Sequence, residues 1–234
     1  MDVEQIIKAV RWCYDEEAHN TASFSSASAD DNTLMNNIIK SKIGDALRWI
    51  CLYAPAEILD GSDEVSLETG ILVDAELSDH TTSDNGVDIM EGTECLVMTM
   101  PPSFIKLARV REVNWHRAIV TPISEDSEEY LQLHDPNGAT ATVERPQAAI
   151  RNKSTRQIEL WPLPEGDSFH VEVTFVSDPG NSYDASSLST KVAIPPKGKT
   201  AFIYYLAYLT LSAYEDSRAA RMLEIAKMNI GRNG

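Results

Sequence analysis

The sequence predicts an α+β fold: a helical bundle drawn from both termini, with an antiparallel β region, a sheet or a small barrel, inserted between them. Three observations point there. Apolar residues recur at helical spacing near both ends of the chain. Between about 65 and 177 the sequence breaks into seven short runs rich in Val, Ile, Thr and Leu, separated by Gly, Pro, Asn and Asp. In the last of these runs Phe169, Val171, Val173 and Phe175 alternate with His170, Glu172 and Thr174, the period of a strand with one buried face.

The first segment, Asp2 to about Glu17, sets Val3, Ile6, Ile7, Val10, Trp12 and Tyr14 on roughly one helical face. A polar stretch, Thr21 to Ala29, reads as a loop. Asp30 and Asp31 then offer a cap for a long helix carrying Leu34, Ile38, Ile43, Leu47, Ile50 and Cys51, which Pro55 ends. The expected strands are Val65–Leu77, Glu94–Met100, Phe104–Val113, Ala118–Ile123, Ala139–Val143, Gln157–Leu163 and Phe169–Ser177. After a loop from Asp178 to Thr190, Pro195 and Pro196 start a helix with Phe202, Leu206, Leu209 and Ala213 on its apolar face. A break at Glu215–Ser217 leads to a last helix with Met222, Leu223, Ala226 and Ile230, closed by Gly231. The expected division is 1–60 for the N-terminal helices, 61–190 for the β domain with an acidic loop, and 191–234 for a helical hairpin that completes the helical core.

Composition narrows the function classes. A hydrophobic fraction of 43% is that of an ordinary globular chain, and no apolar run reaches the roughly 18 residues that a membrane span needs. The opening Met-Asp-Val-Glu-Gln lacks a basic start with an apolar stretch behind it, so no signal peptide is expected and the expected site of synthesis and use is a cytoplasm. Cys13, Cys51 and Cys95 are odd in number, scattered and set among apolar residues, and read as buried hydrophobes. A net charge of −16 argues against wrapping nucleic acid. That charge is uneven: Glu57 to Glu94 holds 12 acids and no Lys or Arg, whereas Lys197 to the end holds six Lys or Arg against three acids.

Motifs that could carry catalysis are incomplete. Gly198-Lys199-Thr200 ends like a phosphate-binding loop, but the Gly required five residues before Gly198 is Ala193, and Pro195 and Pro196 lack the N–H groups that cradle phosphate. His19, His80, His116, His134 and His170 match no zinc spacing with the cysteines. Asp79, Asp84 and Asp88 lack the alternation and terminal Glu of a calcium loop. There is no Gly-x-Ser-x-Gly elbow. Trp115, beside His116 and Arg117, reads as an aromatic anchor at the end of a sheet rather than an exposed stacking platform. No catalytic, cofactor or metal residues are therefore assigned.

Three stretches carry a resemblance. The first runs from Asp31-Asn-Thr-Leu34 through Ala46-Leu-Arg48 to Ala54-Pro55. The second holds Met100-Pro101-Pro-Ser-Phe104 with Arg109-Val-Arg111, then Trp115, then Arg145-Pro146-Gln147-Ala148-Ala149 as a turn, then Leu160-Trp161-Pro162. The third is Ile194-Pro195, Phe202-Ile203-Tyr204-Tyr205-Leu206-Ala207 and Ala219 to Gly231. In this order the chain resembles the head-to-tail connector (tail adaptor) proteins of tailed phages, in particular the portal-proximal ring proteins of crAss-like phages. The acidic stretch from Gly61 to Gly92 departs from the compact members of that family.

The resemblance implies a non-enzymatic virion protein of the neck or tail, assembled in the host cytoplasm. It implies a closed ring of about twelve copies, docked on the portal protein and offering its other side to further tail or ring proteins. DNA would pass through the lumen without tight binding, and no cofactor or membrane is involved. A like-charged acidic wall suits such passage. The expected docking element is the closing hairpin, with Phe202 and Leu206 beside Lys197, Lys199, Arg218, Arg221, Lys227 and Arg232. The alternative function is an assembly factor or binding module that is absent from the mature virion.

Overall fold

The computed structural model describes residues 1–18, 29–59, 67–76, 81–82, 86–91, 94–135, 138, 141–151, 156–165, 168–179 and 187–230. It is a mixed α+β protein of two compact units. One combines Met1–Ser66 with Asp178–Gly234, and the other is the continuous segment Leu67–Ser177. The return from the β unit thus falls at 177/178, earlier than the expected 190.

The first unit is helical. Helix α1 (Val3–Ala18) opens with a capping box: Asp2 Oδ1 accepts from Gln5 N at 2.7 Å and Gln5 Oε1 accepts from Asp2 N at 3.2 Å. Val3, Ile6, Ile7, Val10 and Cys13 are buried, whereas Trp12, expected on the same face, is 66% exposed. The start of α1 is tied to the other end of the chain, since Val3 N donates to Thr190 O, Glu4 N to Leu188 O and Val192 N to Met1 O. Helix α2 (Ala29–Tyr53) buries Met35, Ile39, Ile43, Ala46 and Ile50 at steps of three and four. It begins ahead of Asp30 and Asp31, so these lie inside the helix and do not precede it. The loop expected at Thr21–Ala29 lies, but for Ala29, outside the described residues. A four-residue helix, α3 (Ala56–Leu59), follows Pro55.

The second unit is a pair of sheets. Its strands are β1 (Leu67–Glu76), β2 (Thr81–Thr82), β3 (Asp88–Glu91), β4 (Leu96–Thr99), β5 (Phe104–Glu112), β6 (Ile123–Ser124), β7 (Gln147–Ile150), β8 (Gln157–Trp161) and β9 (Ser168–Ser177). One sheet has the order β1-β9-β5 and the other β2-β3-β4-β8-β7-β6. Pairing is antiparallel except between β6 and β7, which are parallel. The described strands therefore form two separate sheets and not one closed barrel. Their facing sides share a core: Leu96, Met98, Ile158 and Leu160 from the larger sheet with Val110, Val171, Val173 and Phe175 from the smaller.

Several expected strands are corrected. Ala118–Ile123 contributes only the bridge at Ile119 and the start of β6, because Pro122 interrupts it. In Ala139–Val143, Thr142 bridges Arg145 in a tight turn, and residues 139 and 140 lie outside the described residues. Gln147-Ala148-Ala149, expected as part of a turn, is strand β7, and the acidic stretch holds β3. A six-residue helix, α4 (Glu128–Leu133), was not expected at all; Ser127 Oγ accepts from Tyr130 N at 3.2 Å to cap it, and Glu128 and Glu129 suit the positive end of its dipole.

The chain closes with a single 3-10 turn (Pro196–Gly198), helix α5 (Lys199–Ser212) and helix α6 (Ala219–Ile230). Helix α5 packs against α1, α2 and α6. Ala201, Phe202, Ile203, Leu206, Ala207, Thr210 and Leu211 are all buried, so it is covered on several sides, where the sequence pattern predicted one stripe. Trp49 of α2 stacks on Tyr205 of α5, with ring centroids 4.0 Å apart and planes 6° from parallel. Glu215, with φ 55, turns the chain between α5 and α6. Gly231, the expected stop, lies outside the described residues.

Candidate functional site

The expected docking residues separate into two groups. Phe202 and Leu206 are both 0% exposed and belong to the chain's own core, which corrects their place on an outward docking face. Lys197, Lys199, Arg221 and Lys227 are exposed. Arg218 is engaged locally: its Nε and Nη2 donate to the two oxygens of Asp216 at 3.0 and 2.7 Å. That bidentate pair holds the Asp216 carboxyl below its ordinary value. Arg232 lies outside the described residues.

Gly198 is packed into the helical unit. A Cβ placed on it would sit 3.5 Å from Ile58 Cγ2 and 3.6 Å from Ile50 Cγ2 and from the Pro195 ring. Apolar side chains thus cover the position that would have to face a phosphate. Trp115 is 1% exposed within the core between the sheets, while His116 and Arg117 are exposed, the arrangement expected of an anchor. Nearby Glu112 is fully buried, and its two oxygens accept from Asn114 N at 2.7 Å and Asn114 Nδ2 at 3.2 Å. His19, His80, Asp79 and Asp84 lie outside the described residues, and among the described residues no three potential ligands gather into a metal site.

The densest polar chemistry was missed by the sequence reading. It lies on the outer face of the larger sheet, away from the core between the sheets, where strand alternation brings Cys95, Val97, Glu159, Trp161 and Gln147 to one side. Glu159 is buried at the centre. Tyr130 Oη donates to its Oε1 at 3.3 Å, His134 Nε2 lies 3.3 Å from its Oε2, and Arg151 Nε stands 3.6 Å from Oε1 as a longer ion pair. Tyr130 and His134 both come from α4 and its C-terminal cap. His134 also meets Trp161 edge-on, with ring centroids 5.0 Å apart. A buried carboxylate with three such partners is stabilised by them, and removing any one leaves charge poorly compensated.

Burial and the Glu159 charge push the Tyr130 hydroxyl and the Cys95 thiol each up to about 12. Cys95 is therefore held as a thiol, a weak nucleophile. Three groups of this cluster have no hydrogen-bond partner: Trp161 Nε1 and Gln147 Oε1, on residues directly opposite one another in β8 and β7, and Arg151 Nε, which makes only the longer ion pair with Glu159. Each such buried group costs about 1–3 kcal/mol. The signal in the sequence was a lone Glu within the apolar run Ile158-Glu-Leu-Trp161, but its partners lie in a helix too short to announce itself.

The chain matches no known protein-family model, and no curated protein matches it in sequence. No helix among the described residues is long and apolar enough to cross a membrane.

Proposed function

We propose that the chain is a structural subunit of a tailed-phage neck, a head-to-tail connector forming a ring between the portal and the tail. The observation that carries this reading is the order of elements. Helices from both termini share one compact unit, and a two-sheet β unit is inserted between them, as the resemblance to connector proteins implies. Two motifs of the second stretch behind the resemblance fall on defined elements: Arg109-Val-Arg111 in β5, and Leu160-Trp161-Pro162 at the end of β8. The net charge of −16 suits a channel that lets DNA pass without holding its phosphates.

In this reading the helical bundle faces the portal, and the exposed Lys197, Lys199 and Lys227 meet an acidic partner. Deleting α6 would not test the docking, because Ala219, Met222 and Ala226 are buried in the helical unit and their removal would strip its core. Charge reversal at the three lysines leaves the core intact. The expected outcomes are that the chain copurifies with mature particles, that its density traces to a ring beneath the portal, and that K197E/K199E/K227E is lost from particles. A chain present in assembling lysates but absent from purified particles would favour the assembly-factor alternative and sink the connector reading. Incorporation of the triple variant at the normal level would sink the docking face alone.

A further inference from the structure

We propose that α4 is a displaceable strap, pinned across the outer face of the larger sheet by the Glu159 carboxylate and able to lift while the rest of the β unit stays folded. The inference concerns the β unit alone and stands whether or not the chain is a connector.

The attachment of α4 is narrow. Of its six residues only Leu133 is buried, and Leu131 projects 65% exposed. Among the described residues, the polar side-chain contacts that tie it to the sheet, from Tyr130 and from the cap residue His134, converge on the single carboxylate of Glu159. The anchoring described is therefore one buried apolar side chain, one shared acceptor and the edge-on contact of His134 with Trp161.

Beneath it the sheet face is poorly satisfied. Trp161, packed with Leu133 and met edge-on by His134, has its Nε1 shut away from solvent with no protein hydrogen-bond partner, and would gain a hydrogen bond to water if α4 lifted. The closed state thus carries a built-in opposing force, and the balance rests on Glu159. A second device holds the far end of the strap. Gly138 N donates to Asp135 O at 2.8 Å, and a Cβ at Gly138 would stand 2.2 Å from Gln132 O, inside the last turn of α4. A side chain at 138 forces that turn and residue 138 apart.

The chain contains its own reporter. Cys95 lies on the covered face at 6% exposure, packed in one cluster with Val97, Leu133 and Trp161. Its thiol reacts with a solution disulfide reagent only when uncovered.

The test is site-resolved thiol labelling of the full chain in native buffer, read by peptide mass spectrometry, at increasing low denaturant. For a lifting strap, labelling of Cys95 proceeds far faster than global unfolding allows and depends little on denaturant, because little surface is exposed. Tyr130→Phe and Glu159→Gln are expected to speed Cys95 labelling on the order of tenfold or more, and Gly138→Ala to do so with Tyr130, His134 and Glu159 all unsubstituted. Cys51, buried in the helical unit, keeps its wild-type rate in all three. Should Glu159→Gln not fold, Tyr130→Phe and the wild-type denaturant series still decide. If Cys95 labels only with the denaturant dependence of global unfolding, or if Tyr130→Phe and Gly138→Ala leave its rate unchanged, α4 is a fixed part of the β unit and the proposal is overturned.

Discussion

Asp216 illustrates how a residue can be chemically active in the fold without being a site. It caps the start of α6 by accepting from Arg218 N at 2.9 Å, and its carboxylate holds the Arg218 guanidinium. Because its folded pKa is lowered below the ordinary carboxylate value, its contribution to stability is present above that value and is lost as pH falls through the folded one. Asp216→Asn is expected to remove that part of the acid dependence, seen as a flatter profile of unfolding free energy below about pH 4; an unchanged profile would mean the pair contributes nothing. Glu159 shows the limit of reading residues one at a time. In sequence it is one acid in an apolar strand, and only the register of β7, β8 and β4 reveals that Gln147, Trp161 and Cys95 share its face.

At the scale of elements, the sequence was informative where a pattern had room to repeat. The alternating β9 is read closely, because many residues vote for one period; α2 is legible as a helix, but its face is set one residue off at the start, since Met35 and Ile39 are buried where Leu34 and Ile38 were expected and Leu34 is exposed. Short elements gave no such vote: α4 buries a single residue, β3 is carried by Ile89 among acids, and β7 was masked by Arg145-Pro146, which speaks of a turn. Helix α5 was misjudged for another reason. A helix covered on several sides has no polar face to define a stripe, so Phe202 and Leu206 looked like a surface when they are a centre. Leu206→Ala is expected to destabilise the chain by about 2–5 kcal/mol, whereas Lys199→Ala stays within about 0.5 kcal/mol, both measured by denaturant unfolding. Similar small effects from both would return Leu206 to the surface.

At the scale of the molecule, the β unit is one continuous segment whose ends lie side by side, Leu67 opposite Val176 in adjacent antiparallel strands. Residues 67–177 are expected to fold alone, giving a cooperative thermal transition and dispersed amide resonances; an unstructured fragment would show that the unit depends on the helices. The helical unit is discontinuous, and this bears on its birth on the ribosome. Its α1 and α2 emerge first, yet α5, which packs against both, is made only after the whole β unit. Ile58 and Phe202, both buried in it, are 144 residues apart in the chain (202 − 58), roughly 7–30 s of translation. Through that interval, in which the β unit is itself being made, the early helices of each nascent chain wait uncovered by α5, so the yield of this protein should depend more on what shields residues 1–59 during synthesis than on the stability of the finished fold.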